Sequence, residues 1–305
     1  MALAAVRLTP SPREKVWGSA HLAPWFPDSN KNIGEIWFLA DRELPVLIKF
    51  LFTSGKLSIQ VHPDDAYARE HENSRGKTEM WHVLRAEPGA ALAAGFREPL
   101  ERSQLLEAAT SGAIERLIAW REASAGETLF IPAGTVHAIG AGLVLCEVQQ
   151  NSDITYRLYD YGRPRELHLD KAIAVADLRP HPGPTEMPVK SDYFVTASLP
   201  LDGPMIVPAQ PGQTQFFVVL EGGGWIGEQP FRLGEVWMLP PAAGELTLEG
   251  SARLLHVSCP EETAGLYCPG CRRGVSDPLV CGDCTSVICR VCGAALERVD
   301  DLGIG

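Results

Sequence analysis

GETLFIPAGTVHAIGAG (Gly126–Gly142) and GEVWMLPPAAGELTLEG (Gly234–Gly250) open on the same Gly-Glu, continue through a short apolar run and break at a proline in matching places. A short apolar run bounded by Gly and Pro reads as a strand between turns, and its recurrence predicts a duplicated β-barrel. Only the first copy holds a histidine, His137. The expectation is therefore one barrel with metal ligands and one without.

The surrounding sequence has the same texture. IWFLA (Ile36–Ala40), PVLIKFLFT (Pro45–Thr53), LSIQV (Leu57–Val61), GLVLCEVQ (Gly142–Gln149) and DITYRLYDY (Asp153–Tyr161) are short, apolar or alternating, and punctuated by Gly and Pro. They predict an all-β sandwich or barrel. LERSQLLEAATSG (Leu100–Gly112) and AIERLIAWREA (Ala113–Ala123) carry a helical period instead, with Leu105, Ile114, Leu117, Ile118 and Trp120 on the buried side, a small helical insert. LRPHPGPTEMPVK (Leu178–Lys190) has four prolines and no period, so it reads as an extended connector and places a boundary near residue 180.

Four side chains of the first half form a candidate shell for one divalent metal. In LSIQVHPDD (Leu57–Asp65) the alternation puts Gln60 and His62 on one strand face. Pro63 ends that strand ahead of a short helix, DDAYAREH, whose N-terminus carries Asp64 and Asp65. GKTEMW (Gly76–Trp81) adds Glu79, and the Pro-Ala-Gly turn of the opening stretch adds His137. Neutral imidazole and carboxylate suit zinc and its borderline neighbours, and so small a shell leaves positions for substrate. His82 and His168 lack such context and read as surface or satisfied core histidines.

At 305 residues and 33.1 kDa the chain is long enough for two domains of ordinary size. A net charge of −11 argues against nonspecific binding to nucleic acid or membrane surfaces, and an anionic substrate would need local cations. No apolar run approaches the ~18 residues of a membrane span, and MALAAV is followed at once by RLTPSPREK rather than by a cleavable hydrophobic region, so a cytoplasmic location is expected. Of eight cysteines, six lie in close pairs near the C-terminus, and in a reducing cytoplasm that pattern favours metal over disulfides. Cys146 and Cys259 read as buried, inert thiols.

LSIQVHPDD, GKTEMWHVL, IPAGTVHAIGAG and EVQQNSDITYRLYDYGR resemble the signature segments of class I mannose-6-phosphate isomerases in their short bacterial form, over about residues 15 to 260. The resemblance implies a double cupin, with a metal-bearing catalytic cupin and its helical insert at residues 1–178 and a ligand-free second cupin at 179–260. It implies zinc held by residues matching His62, Glu79 and His137, and in many members also Gln60, and interconversion of mannose 6-phosphate and fructose 6-phosphate through an enediol. Arg157 matches the family's catalytic arginine, and Lys77 a lysine of its active site. Glu147 matches a position assigned to the base, with Lys77 or a metal-bound water as alternatives. The opposing class is a non-catalytic cupin acting as a sugar-phosphate sensor or scaffold. The presence of Lys77 and Arg157 beside the ligand set favours the enzyme, because a sensor would be free to lose them. The second barrel and the connector match the family loosely, and the phosphate contacts stay unassigned.

Ordinary members lack the tail, residues 261–305. In it Cys268, Cys271, Cys281, Cys284, Cys289 and Cys292 are spaced x2, x9, x2, x4 and x2. One zinc takes four thiolates, so at least one closed structural site is expected, and a module this small needs it to fold. CPGC and CRVCG look like zinc knuckles. Either the first and third pairs close a site, as in treble-clef and cross-brace fingers, or the first and second pairs close a zinc ribbon. The tail is expected to dock a protein partner or a second copy of the chain, or to cap the barrel; scattered arginines among acids leave nucleic acid a minor alternative.

Overall fold

The computed structural model describes residues 5–208, 210, 212–241, 243–260, 266–271, 273–275, 279–280 and 287–298. The chain divides into two compact units, Met1–Cys259 and Pro260–Gly305.

Three antiparallel sheets build the larger unit. The first runs, in spatial order, Thr9–Ser19, Ile33–Leu39, Val46–Thr53, Leu143–Gln150, Glu79–Ala86 and Thr128–Ile131. The second runs Tyr156–Tyr159, Ile59–Val61, His137–Ile139, Ala91–Phe96 and Ile118–Glu122. Trp17, Leu51, Trp81, Val83 and Leu145 from the first meet Leu92 and Ile139 from the second in one buried cluster, which makes the pair a barrel. The third sheet begins with Val6–Arg7 and Val236–Leu239, continues through Gln213–Ile226, Leu246–Pro260 and Val195–Asp202, and ends at Val189–Lys190. It has its own interior around Leu201, Phe217, Val219, Trp237 and Leu254.

Strand alternation explains how the barrels join. All eight residues of Val46–Thr53 and of Leu143–Gln150 are buried, so both faces of these strands are covered. Val46, Ile48, Phe50, Phe52, Cys146 and Val148 pack outward against Phe194, Phe216, Val218, Leu255 and Val257 of the third sheet. Each such side chain removed from water contributes about 1.5–3 kcal/mol, so residues on both sides of position 178 share one core. The intervening positions, Lys49 and Glu147, consequently face the interior of the first barrel. The strand at Val6–Arg7 also crosses over, pairing with Trp237 and Met238.

The repeated motif is a structural repeat: Thr128–Ile131 and Val236–Leu239 both start immediately after the shared Gly-Glu. The insert departs from expectation in its second half. Arg102–Ser111 and Ile114–Leu117 are helical, but IAWRE (Ile118–Glu122) is a strand paired with Ala91–Phe96. A helical period over Ile and Trp competes poorly with a neighbouring strand edge that offers ladder hydrogen bonds to residues favouring a pleated surface. Leu105, Ile114 and Ile118 are fully buried, whereas Leu117 and Trp120 are half-buried. With Ala108 and Ala109 they pack behind Ile59 and Val61, the strand that carries Gln60.

Asp64 caps the helix Asp65–Glu72 by accepting the Tyr67 amide proton at 2.9 Å. The proline-rich connector is strapped to the first barrel through the Gly95–Pro180 bridge and a 2.7 Å bond from His181 Nε2 to Phe130 O. Cys146 and Cys259 are buried, and burial holds both as thiols. Among the described residues no helix is long and apolar enough to cross a membrane. In the smaller unit Leu266–Cys268 pairs with both Arg273–Val275 and Glu297–Arg298. Cys281 and Cys284 lie outside the described residues.

Candidate active site

Register brings the ligand candidates together. Gln60 stands opposite His137 on one neighbouring strand and opposite Arg157 on the other. From the facing sheet, Glu79 and Trp81 alternate inward. The Nε2 atoms of His62 and His137 lie 3.5 Å from Oε2 and Oε1 of Glu79 respectively. Each ring turns its other nitrogen to a backbone carbonyl: His62 Nδ1 to Ile154 O at 2.8 Å and His137 Nδ1 to Thr135 O at 2.9 Å. A carbonyl only accepts, so Nδ1 carries the hydrogen and Nε2 presents a lone pair. Backbone carbonyls fix the tautomer of metal-ligating histidines in this way.

Burial sets the charge state. His62, Glu79 and His137 are at most 2% exposed. Burial, with the charge of Lys77 second, pulls His62 well below its ordinary value, and burial pulls His137 down to about 4, so both are neutral at neutral pH. Burial and then the Glu147 charge push Glu79 upward. The donor atoms of the three lie within 4.8 Å of one another. Gln60 joins them, its carboxamide nitrogen 3.3 Å from His137 Nε2. A half-turn of that carboxamide presents its oxygen instead. Two neutral imidazoles, a carboxylate and a carboxamide fit a divalent cation.

The inner wall is a charged network. Lys49 donates to Glu147 Oε1 at 2.9 Å and to Gln149 Oε1 at 2.5 Å, and Trp81 Nε1 donates to Glu147 Oε2 at 3.1 Å. Burial disfavours the Lys49 charge, but Glu147 and Glu35 outweigh it and hold that ammonium above its ordinary value. Lys77 donates to Thr155 Oγ1 at 3.4 Å, and burial followed by the charge of Lys49 lowers it. Arg157 is half-buried, and its Nε is buried with no hydrogen-bond partner. Its backbone is clasped by His168, which accepts from Arg157 N at 3.2 Å and donates its own amide to Arg157 O at 2.8 Å. Arg165 grips buried Asp160 through two bonds of 2.6 and 2.7 Å.

Gln60, His62, Glu79, Lys77, Glu147 and Arg157 line one cleft of about 530 Å³, together with Lys15, Glu35 and Arg165, and His137 lies against its ligand group. Lys49, Trp81 and Gln149 are functional neighbours that the motif reading passed over. Lys49 had a signal: it is the lone charge within VLIKFLFT, a run too apolar to carry one idly. His82 lies on the strand face opposite Trp81, bonded to Thr128 Oγ1 at 2.9 Å. In the smaller unit Cys268, Cys271, Cys289 and Cys292 converge into a second cluster.

No protein-family model matches the chain. A probable mannose-6-phosphate isomerase of Bacillus subtilis, GmuF, is 32% identical over 262 residues, covering 75% of this chain and 82% of the relative. The mannose-6-phosphate isomerase ManA of the same organism is 30% identical over 301 residues, covering 80% and 95%. The crystal structure of a Bacillus subtilis mannose 6-phosphate isomerase superposes with a TM-score of 0.76 at 26% identity, covering 84% of this chain and 99% of that one. The paired barrels are accordingly a double cupin.

Proposed function

The chain belongs to the mannose-6-phosphate isomerase family, and we propose that it interconverts mannose 6-phosphate and fructose 6-phosphate at the Glu79 cleft. The observation that carries this reading is the pair of buried imidazoles whose Nε2 atoms face the two oxygens of Glu79. In this reading His62, Glu79, His137 and Gln60 hold one divalent ion, and zinc suits that donor set. When bound, such an ion supplies a Lewis acid for the carbonyl and hydroxyl oxygens of the sugar.

The chain's own residues supply the rest. From aldose to ketose, a proton leaves C2 and a proton is delivered to C1 while the carbonyl moves from C1 to C2 through an enediol. Lys77 fits this proton transfer, because burial and Lys49 weaken its hold on a proton and its Thr155 contact is long. Glu147 is the other candidate base, but both its oxygens already accept hydrogen bonds, so its better-supported part is to hold Lys49 charged in the wall. Arg157 stays protonated and sets a planar, permanent charge against the anionic oxygens of the substrate. A chain of net charge −11 repels an anion at long range. The cleft offsets this locally with Lys15, Lys49, Lys77, Arg157 and Arg165.

The same reading places metal-bearing and ligand-free cupins at 1–178 and 179–260, a cytoplasmic setting that keeps the thiols reduced, and a structural zinc in the tail. Metal analysis beside a coupled isomerase assay tests the activity. Chelation is expected to abolish turnover, and Arg157→Ala to keep its metal while losing roughly a hundredfold or more in kcat. Zinc-replete protein that turns over neither sugar phosphate would overturn the proposal.

A further inference from the structure

We propose that the smaller unit is organised around one tetrathiolate metal site made by Cys268, Cys271, Cys289 and Cys292, and that Cys281 and Cys284 are not its ligands. The four sulfurs lie within 4.8 Å of one another, with Cys268 Sγ 3.3 Å from Cys292 Sγ and Cys271 Sγ 3.8 Å from Cys289 Sγ. A tetrahedron with metal–sulfur bonds of about 2.3 Å puts its sulfurs ~3.8 Å apart. The group is thus already close to the size a zinc ion requires.

The backbone gives the cluster its shape. Cys268 ends the strand Leu266–Cys268 and stands in register with Arg273, so Cys268 enters the turn of one hairpin and Cys271 lies within it. The amide of Cys271 donates to Cys268 Sγ at 3.2 Å. The second turn repeats this arrangement, with the amides of Val291 and Cys292 directed at the Cys289 sulfur. It closes through Gly293 N to Cys289 O at 2.8 Å, with Gly293 at φ 72°, a conformation that side chains disfavour. Glu297–Arg298 then pairs back onto Leu266–Tyr267, which brings the two turns to one point. Amides aimed at sulfur stabilise thiolate, the form a metal binds. Cys268 and Cys289 are at most 1% exposed, so their charge would otherwise be costly.

The unit spans Pro260–Gly305, and none of the buried apolar clusters among the described residues reaches past Cys259. In a segment this short, metal binding supplies free energy for folding. Four thiolates fill the tetrahedron and leave no open position, so the site is structural and independent of the sugar cleft.

The test uses the full chain, zinc-loaded and then washed of free metal, with zinc counted by elemental analysis. Wild type is expected to hold two equivalents, one in each unit. Cys271→Ser and Cys292→Ser are each expected to lose one, and the double variant Cys281→Ser/Cys284→Ser to keep both. Cobalt loading supplies a readout of the sulfur ligands themselves. Intense sulfur-to-metal charge-transfer absorption should persist at full strength in the Cys281/Cys284 variant and collapse in Cys271→Ser. Loss of an equivalent in the Cys281/Cys284 variant would overturn the ligand set. Unchanged zinc in Cys271→Ser, or an intact mass of the wild-type chain two hydrogens light per disulfide, would overturn the site itself.

Discussion

Tyr193 donates its hydroxyl proton to Asp65 Oδ2 at 2.8 Å, so the second barrel reaches into the support of the active site. The other oxygen of Asp65 accepts from Gly76 N at 2.8 Å and from Gln150 Nε2 at 3.0 Å, and Gln150 Oε1 accepts from Thr78 N at 2.8 Å. The residues on either side of Lys77 are therefore fixed by one relay that ends in the bend between Val189–Lys190 and Val195–Asp202 of the third sheet. Tyr193→Phe removes a hydrogen bond to a charged acceptor, a loss of about 2 kcal/mol. Steady-state kinetics should show kcat falling roughly tenfold with KM within about twofold, since the loss acts on placement of Lys77 rather than on binding. A lowered melting temperature with unchanged kcat would make Tyr193 a structural residue only.

Gly76 permits the close approach on which that relay depends. A Cβ there would sit 2.5 Å from Asp64 C, 2.6 Å from Asp65 N and 2.8 Å from Pro63 O, all backbone atoms that cannot swing aside. Gly76→Ala must push the Lys77 turn off the helix N-terminus. The expected result is a larger fall in kcat than for Tyr193→Phe, about a hundredfold, because a displacement near 1 Å costs that much at a reacting centre. Kinetics on the metal-replete variant read it directly.

Lys49 and Glu147 form an ion pair at 2.9 Å with both side chains 6% exposed. Removing one partner strands a buried charge, which costs about 3–5 kcal/mol, whereas removing both costs far less. Lys49→Met is expected to lose that much stability in urea unfolding. Adding Glu147→Gln, which keeps an acceptor for Trp81, should recover most of it. A double variant no more stable than Lys49→Met would mean the two do not act as a pair.

The cleft residues that could be read in the sequence were those whose chemistry is marked by local context. Gln60 and His62 sit on an alternating strand ended by a proline, and His137 follows a Pro-Ala-Gly turn, so spacing alone put them at strand ends. Lys49 was illegible as a partner of Glu147, because their pairing depends on the register between Val46–Thr53 and Leu143–Gln150, strands far apart in the chain. The Tyr193–Asp65 bond is longer in range still and has no local signature. In the insert, the helical period of AIERLIAWREA yielded to the edge of Ala91–Phe96, since a strand's partner can outweigh a weak intrinsic preference. For the tail, spacing left two pairings open, and the strand pairing of Leu266–Tyr267 with Glu297–Arg298 is what joins the first and third.

His82 predicts how acid loosens the fold. The residue is 9% exposed, its ring is bonded to Thr128 Oγ1, and burial, with the charge of Arg253 second, lowers it from 6.5 to about 4. Above 6.5 neither the folded nor the unfolded chain protonates this ring, and its contribution is constant. Below 6.5 the unfolded chain takes up a proton that the folded chain refuses, so stability falls until about pH 4, by about 1.4 kcal/mol per unit at most and ~3 kcal/mol in all. His82→Gln keeps a polar partner for Thr128 and removes the titration. Other buried histidines titrate alike in both proteins, so the difference in unfolding free energy between wild type and variant isolates this ring. That difference should shift by about 2 kcal/mol against wild type between pH 7.5 and pH 5. Parallel stability curves over that interval would show that His82 is protonated as readily in the folded chain as in the unfolded one.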